Sequence, residues 1–125
     1  MPLPVLFAIL IAVGVALWVT LRGRTDTAAL ESYYTQGALV LDVRTPGEFR
    51  RRHARDARNI PVDELQARIG ELGDPQKIIV YCKSGMRSAR AAGLLREAGF
   101  DVLDMSRLTS FPDDYVEVQP NNAPV

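Results

Sequence analysis

The chain is poor in the residues that build disulfides and metal sites: 125 residues hold one cysteine, Cys82, and one histidine, His53. A single thiol has no partner within the chain, which fits a reducing compartment. Two soft ligands without clustered carboxylates give little basis for a metal site, and none is expected. A Walker loop and a dinucleotide glycine fingerprint are both missing, so no nucleotide cofactor is indicated, and no cofactor of any kind is expected. Repeats and low-complexity tracts are missing as well, which at this length leaves room for one domain. Net charge is lacking too, with 15 basic residues against 15 acidic ones. The charges are nonetheless unevenly placed. Arg44, Arg50, Arg51, Arg52, Arg55 and Arg58 cluster early in the domain, and Asp101, Asp104, Asp113, Asp114 and Glu117 gather late. The basic run is short, has little aromatic interleaving and overlaps a helix start. It therefore reads as a solvated helix face, with anionic lipid headgroups as a second reading and no nucleic acid expected.

Charge is wholly missing from residues 3–21, an apolar run (LPVLFAILIAVGVALWVTL) long enough as a helix to cross a bilayer core of about 30 Å. Trp18 stands near its end, where an interfacial aromatic is placed. The basic n-region of a signal peptide is missing, and Leu21-Arg22-Gly23-Arg24 follows in place of a small-residue cleavage site. The run has no polar face, which argues against a buried core helix. The expected organisation is a transmembrane anchor with a basic flank over residues 1–24, a folded domain over 25–118 and a flexible tail over 119–125. Arg22 and Arg24 place the domain on the cytoplasmic side of a bacterial-type inner membrane by the positive-inside rule.

Within the domain, Thr25-Asp26-Thr27 reads as a polar connector and residues 28–36 as a helix stopped by Gly37. Leu39-Val40-Leu41-Asp42-Val43 is a strand interrupted by one acid. Thr45-Pro46-Gly47-Glu48 has capping-box spacing with proline at the first helical position, which predicts a short helix to about Arg52. Residues 57–61 look extended, and 62–72 read as an amphipathic helix. A turn at Gly73-Asp74-Pro75 leads to a strand over 77–81, a helix over 88–98 capped by Gly99, and a strand over 100–105. Strands alternating with helices predict an α/β fold, a mostly parallel sheet with helices on both faces and ligands at the carboxyl ends of the strands.

Cys82 is placed at such an end. It opens Cys82-Lys83-Ser84-Gly85-Met86-Arg87-Ser88, between an apolar strand and a helix. Loop N–H groups and a helix N-terminus favour thiolate over thiol, as does a nearby cation. A lone cysteine after Ile-Ile-Val-Tyr is otherwise a small buried hydrophobe. The polar residues that follow make a poor core segment and a good anion cradle, which favours a nucleophile.

With these elements in place, residues 38–105 resemble a single-domain rhodanese, a thiosulfate sulfurtransferase-like module. Asp42-Val43-Arg44 followed by Glu48-Phe49 is similar to the family's first motif, His53 with Asn59-Ile60-Pro61 to its second stretch, and the Cys82–Ser88 run to its active-site loop. The resemblance implies a rhodanese-like fold and a cysteine persulfide. Cys82 would take sulfane sulfur from a small anionic donor such as thiosulfate and pass it to cyanide, a thiol or a protein acceptor. It implies a persulfide-binding loop of Lys83, Ser84, Gly85, Met86 and Arg87, supported by Asp42, Arg44, Glu48 and Ser88. Related phosphatases carry one residue more between cysteine and arginine, and the shorter loop favours sulfur over phosphate. A tethered persulfide carrier with little turnover is the alternative of a different class. Two departures stand out: Arg52, Ala54 and Asp56 surround the histidine where the family has small or apolar residues. The family's terminal Gly-Gly and Trp give way to Ser106-Arg107-Leu108-Thr109-Ser110-Phe111-Pro112.

Overall fold

The computed structural model describes residues 2–119, with side chains for all of them but residues 21–26. The expected tail beyond Gln119 and the side chains of Arg22 and Arg24 lie outside the described residues. Helix α1 spans Leu3–Thr35, with a proline in its first turn. It ends where the Gln36 N–H bonds the Ser32 carbonyl at 3.0 Å and Gly37 takes φ +75°. The expected connector at Thr25-Asp26-Thr27 is therefore corrected: the helix runs through it. Cap-forming residues start a helix where N–H groups lack partners, but here the preceding turn already offers its carbonyls, and no Gly or Pro interrupts between residues 24 and 35.

Strand β1 (Leu39–Asp42) follows, then α2 (Pro46–Arg51), β2 (Arg52–Ala54), β3 (Arg58–Asn59) and α3 (Val62–Arg68). Next come β4 (Lys77–Cys82), α4 (Met86–Glu97), β5 (Asp101–Arg107) and β6 (Val116–Val118). The main sheet has the order β3-β1-β4-β5, with every pairing parallel, and β2 pairs with β6 as a separate antiparallel ribbon. The α/β architecture is as the alternating pattern requires.

Two cores sandwich the sheet. Leu41, Ile78 and Val80 face Leu65 of α3 and Ala91, Ala92 and Leu95 of α4. Val40, Ile79 and Tyr81 face the other way, toward Leu30 of α1, Ala54, Met105, Leu108 and Phe111. Neighbouring residues of β1 and β4 thus alternate between faces, the period of two that a strand imposes. Leu30 is fully buried, whereas every side chain from Pro2 to Thr20 is exposed. Leu3–Thr20 is long and apolar enough to cross a membrane.

Three boundaries shift from the sequence reading. The helix expected over 62–72 tightens into a 3₁₀ turn at Ile69–Leu72, where Gly70 weakens the α-helix and Gly73 takes φ +77°. Helix α4 begins at Met86, two residues earlier than expected. Strand β5 runs to Arg107, past a register shift opposite Val80/Tyr81, with Ser106 at φ +70°.

Candidate active site

The sulfur of Cys82 is set by the last residue of a central strand. Val80, Tyr81 and Cys82 are fully buried, and β4 carries the thiol to the sheet's carboxyl edge. The chain then turns through Lys83, Ser84 and Gly85 into α4, and Gly85 caps that helix in the left-handed region at φ +97°. This turn folds the loop back over the sulfur: the Gly85 N–H donates to Sγ at 2.9 Å. On the far side Sγ donates to the Ser106 carbonyl at 3.4 Å, and that carbonyl also accepts from the Ser88 hydroxyl at 3.3 Å. Burial pushes the Cys82 thiol up, but the N–H groups of Ser88, Gly85 and Ser84 and the Ser88 hydroxyl outweigh it. The thiol is held below its ordinary value.

Arg87 clamps Glu48, Nη1 to Oε1 at 2.9 Å and Nη2 to Oε2 at 3.2 Å. Glu48 is also the third residue of α2 and closes a capping box with Thr45. One carboxylate therefore joins the cysteine loop to the start of α2. The Arg87 hydrogen bonds pull the Glu48 carboxyl down to about 2.

Asp42 and Arg44 form a second, separate unit. Arg44 Nε reaches both Asp42 oxygens at 3.0 Å, and Nη2 reaches Oδ2 at 2.6 Å. The Tyr81 hydroxyl donates to Oδ2 at 2.7 Å and accepts the Ala54 N–H at 2.8 Å. Asn59 Nδ2 bonds the carbonyls of Asp42 and Arg44, holding the bend after β1. Among the described residues no buried side-chain nitrogen or oxygen lacks a hydrogen-bond partner. The candidate residues thus divide: Ser84, Gly85 and Ser88 reach the sulfur, Arg87 with Glu48 braces the loop, and Asp42 with Arg44 braces the strand beneath. Lys83 and Met86 are exposed. His53 stacks on Phe49 with centroids 4.1 Å apart, bonds its carbonyl through Nδ1 at 2.8 Å and meets Glu117 through Nε2 at 3.2 Å.

Two features escaped the sequence reading. Ser106 sits at positive φ beneath the loop, and Arg107 Nε donates to the Ser84 carbonyl at 3.3 Å. A serine in the left-handed region has no sequence mark, because that region is glycine's by default. The second is a cleft of about 230 Å³ beside the loop, lined by Lys83, Leu108 and Thr109 and by Arg44, Glu48, Arg51 and Arg52. Arg51 and Arg52, read as a solvated helix face, belong to its wall. Among the described residues no cluster of metal-binding side chains occurs.

Comparison with known proteins fits this geometry. The chain is 42% identical over 62 residues to the protein YqhL of Bacillus subtilis, a match covering 50% of this chain and 49% of the relative. It is 36% identical over 63 residues to the thiosulfate sulfurtransferase PspE of Escherichia coli, covering 48% of this chain and 60% of that one. The chain thus spans about half to three-fifths of the length of these curated relatives. A solved rhodanese with anions from E. coli superposes with a TM-score of 0.55 at 30% identity, over 59% of this chain and 91% of that one. Residues 26–107 match the profile of the rhodanese-like domain, and the chain belongs to that family.

Proposed function

We propose that the protein is a sulfurtransferase that carries sulfane sulfur as a persulfide on Cys82. The observation that carries the reading is the sulfur's seat: a thiol at a parallel sheet's carboxyl edge, with the Gly85 N–H 2.9 Å from Sγ and its pKa held down. PspE, named as a thiosulfate sulfurtransferase, makes thiosulfate the first donor to test. In the first step the Cys82 thiolate attacks the outer sulfur of thiosulfate. The Sγ–S bond forms, the S–S bond of the donor breaks, and sulfite leaves with the electron pair. In the second, a thiolate or cyanide attacks the outer sulfur, and the Cys82 thiolate is the leaving group. Splitting the transfer this way gives ping-pong kinetics. The loop N–H groups hold the negative outer sulfur as an oxyanion hole holds oxygen. Arg87 acts through Glu48 as a loop brace, and Asp42 with Arg44 holds the strand below.

The six-residue span from Cys82 to Arg87 favours this chemistry over phosphate transfer, whose related loops are longer by one. Leu3–Thr20 supports a single membrane span, and the basic flank at Arg22 and Arg24 favours the cytoplasmic side for the domain.

The test is intact mass of the full chain in neutral detergent after incubation with thiosulfate, beside Cys82→Ser. A gain of about 32 Da, one sulfur atom, removed by cyanide and absent from the variant, is the expected result. Repeated thiocyanate release would mark an enzyme, and a single load without turnover a carrier. No adduct from thiosulfate or from a second sulfane donor would sink the persulfide reading.

A further inference from the structure

Helix α1 runs from the sheet's carboxyl edge toward its amino edge. Near its end, the Tyr33 hydroxyl bonds Asp101 at 2.6 Å and the Lys77 ammonium lies 4.7 Å from the Tyr33 ring centre. Asp101 and Lys77 are the first residues of β5 and β4, so Tyr33 marks the amino edge. Four residues after Tyr33 the chain turns at Gly37 and enters β1, which runs back alongside β4 in parallel. One turn earlier, Leu30 packs into the same core as Ile79, Tyr81, Met105 and Leu108. The start of α1 therefore lies on the side of the carboxyl edge, where Cys82 is.

With α1 taken as antiparallel to the strands, element lengths set the level. Climbing from Lys77 to Cys82 takes five residues of strand, about 16 Å at the usual rise. Climbing α1 from Tyr33 back to residue 21 takes twelve residues of helix, about 18 Å. The cysteine loop thus stands at nearly the height at which the uncharged run of residues 3–21 ends. Leu108, in the wall of the cleft beside that loop, shares a core with Leu30 of α1. The cleft's cations are poorly neutralised. Arg44 is spent on Asp42 and Glu48 on Arg87, whereas Arg51, Arg52 and Lys83 form no ion pair among the described residues.

We propose that the cleft faces the membrane and that Arg51, Arg52 and Lys83 bind the phosphate headgroups of anionic lipids at its mouth. This rests on reading Leu3–Thr20 as a membrane span, but not on the sulfur chemistry. Three unpaired cations at headgroup level complement an anionic bilayer surface, each such contact being screened by salt. The consequence for the site is that donors and acceptors reach Cys82 along the lipid surface, not from the open side of the domain.

The experiment uses the full chain in lipid nanodiscs with Cys82→Ser as background and one fluorophore, on Thr109→Cys at the cleft or on Asp74→Cys in the turn before β4. Both positions are exposed. The quencher is a nitroxide on carbon 5 of the acyl chain, carried by phosphatidylglycerol or by phosphatidylcholine. Quenching at position 109 is expected to exceed that at 74 several-fold. At position 109 phosphatidylglycerol is expected to quench about twice as well as phosphatidylcholine, a difference abolished by Arg51→Ser with Arg52→Ser and, without any substitution, by 500 mM salt. Equal quenching at the two positions, or stronger quenching at 74, overturns the orientation. Equal quenching by the two lipids at 109 overturns the headgroup site, and leaves the rim as a collector of small soluble anions. A chain that fails to co-purify with discs overturns the span reading and this inference with it, while sulfur loading of Cys82 in detergent stands or falls separately.

Discussion

Gly85 meets two constraints at once. Its φ of +97° lies where side chains are strained, and a Cβ built there would land on the Ser106 hydroxyl oxygen. Gly85→Ala should therefore lose about 1–3 kcal/mol of stability from the backbone alone. It should also displace the N–H that meets Sγ and abolish sulfur loading. Adding Ser106→Gly removes the collision but leaves the backbone strain, so chemical denaturation should show the double variant between the single variant and wild type. Ser88→Ala takes away a hydroxyl that helps hold the thiol down, so the midpoint of Cys82 alkylation by iodoacetamide against pH should rise. An unchanged midpoint would confine Ser88 to packing. Glu48 supplies a pH test whose sign is fixed. Its folded carboxyl sits at about 2 against an ordinary 4.5, so the unfolded chain binds the extra proton between those values. Its contribution is complete above the ordinary value and lost as pH falls through about 2. The stability gap between wild type and Glu48→Gln should be constant near neutrality, narrow below about pH 4.5 and close near pH 2. At this scale the surroundings of the Cys82 sulfur were legible, because Cys82, Gly85 and Ser88 stand at fixed spacing in one short run. Ser106 was not, since it reaches the sulfur from a strand 24 residues away through a carbonyl that any residue could supply.

Helix α1 joins two environments that the sequence separates by composition. Its first half is apolar on all sides, and its second half puts Leu30 into the core while Tyr34 bonds the Arg55 carbonyl at 2.8 Å. Leu30→Ala should destabilise the domain by about 2–5 kcal/mol, the usual range for a buried leucine. The same change at Leu10, which is exposed, should leave unfolding of the domain unmoved. Parallel unfolding curves shifted by the first substitution alone would establish that the end of α1 is structural to the domain. The elements were mostly legible. The capping box at Thr45 and Glu48, the glycine stops and the apolar strands each rest on local chemistry that holds wherever the chain is placed. The connector at Thr25-Asp26-Thr27 misled because capping residues act only where N–H groups are free, and a helix already under way leaves none. Register was the other hidden quantity: the bulge opposite Val80/Tyr81 comes from packing Met105 inward while turning Ser106 under the loop.

At the scale of the molecule, zero net charge conceals a polarity. Arg51, Arg52 and Lys83, which form no ion pair among the described residues, line the cleft beside the Cys82 loop, whereas Asp101 at the amino edge is neutralised by Lys77 at 2.7 Å. Sequence order did not reveal this, because Lys83 comes from the cysteine loop and only the fold brings it to the adjacent Arg51 and Arg52. A divalent anion approaching Cys82 therefore meets a positive field, although the whole molecule has none. Exposed charges are screened over about 10 Å at 0.1 M salt, so this attraction must fade as salt rises. In neutral detergent, where no anionic lipid occupies the rim, the rate of sulfur loading from thiosulfate should fall several-fold between 20 and 500 mM salt. Alkylation by uncharged iodoacetamide should change little over the same range, because it tracks the thiolate and not the field around it. Arg51→Ser with Arg52→Ser should flatten the thiosulfate response while leaving the iodoacetamide rate in place. Equal salt responses for the two reagents would show that the cations do not act on the approaching donor, and that the loop's own N–H groups alone account for its capture.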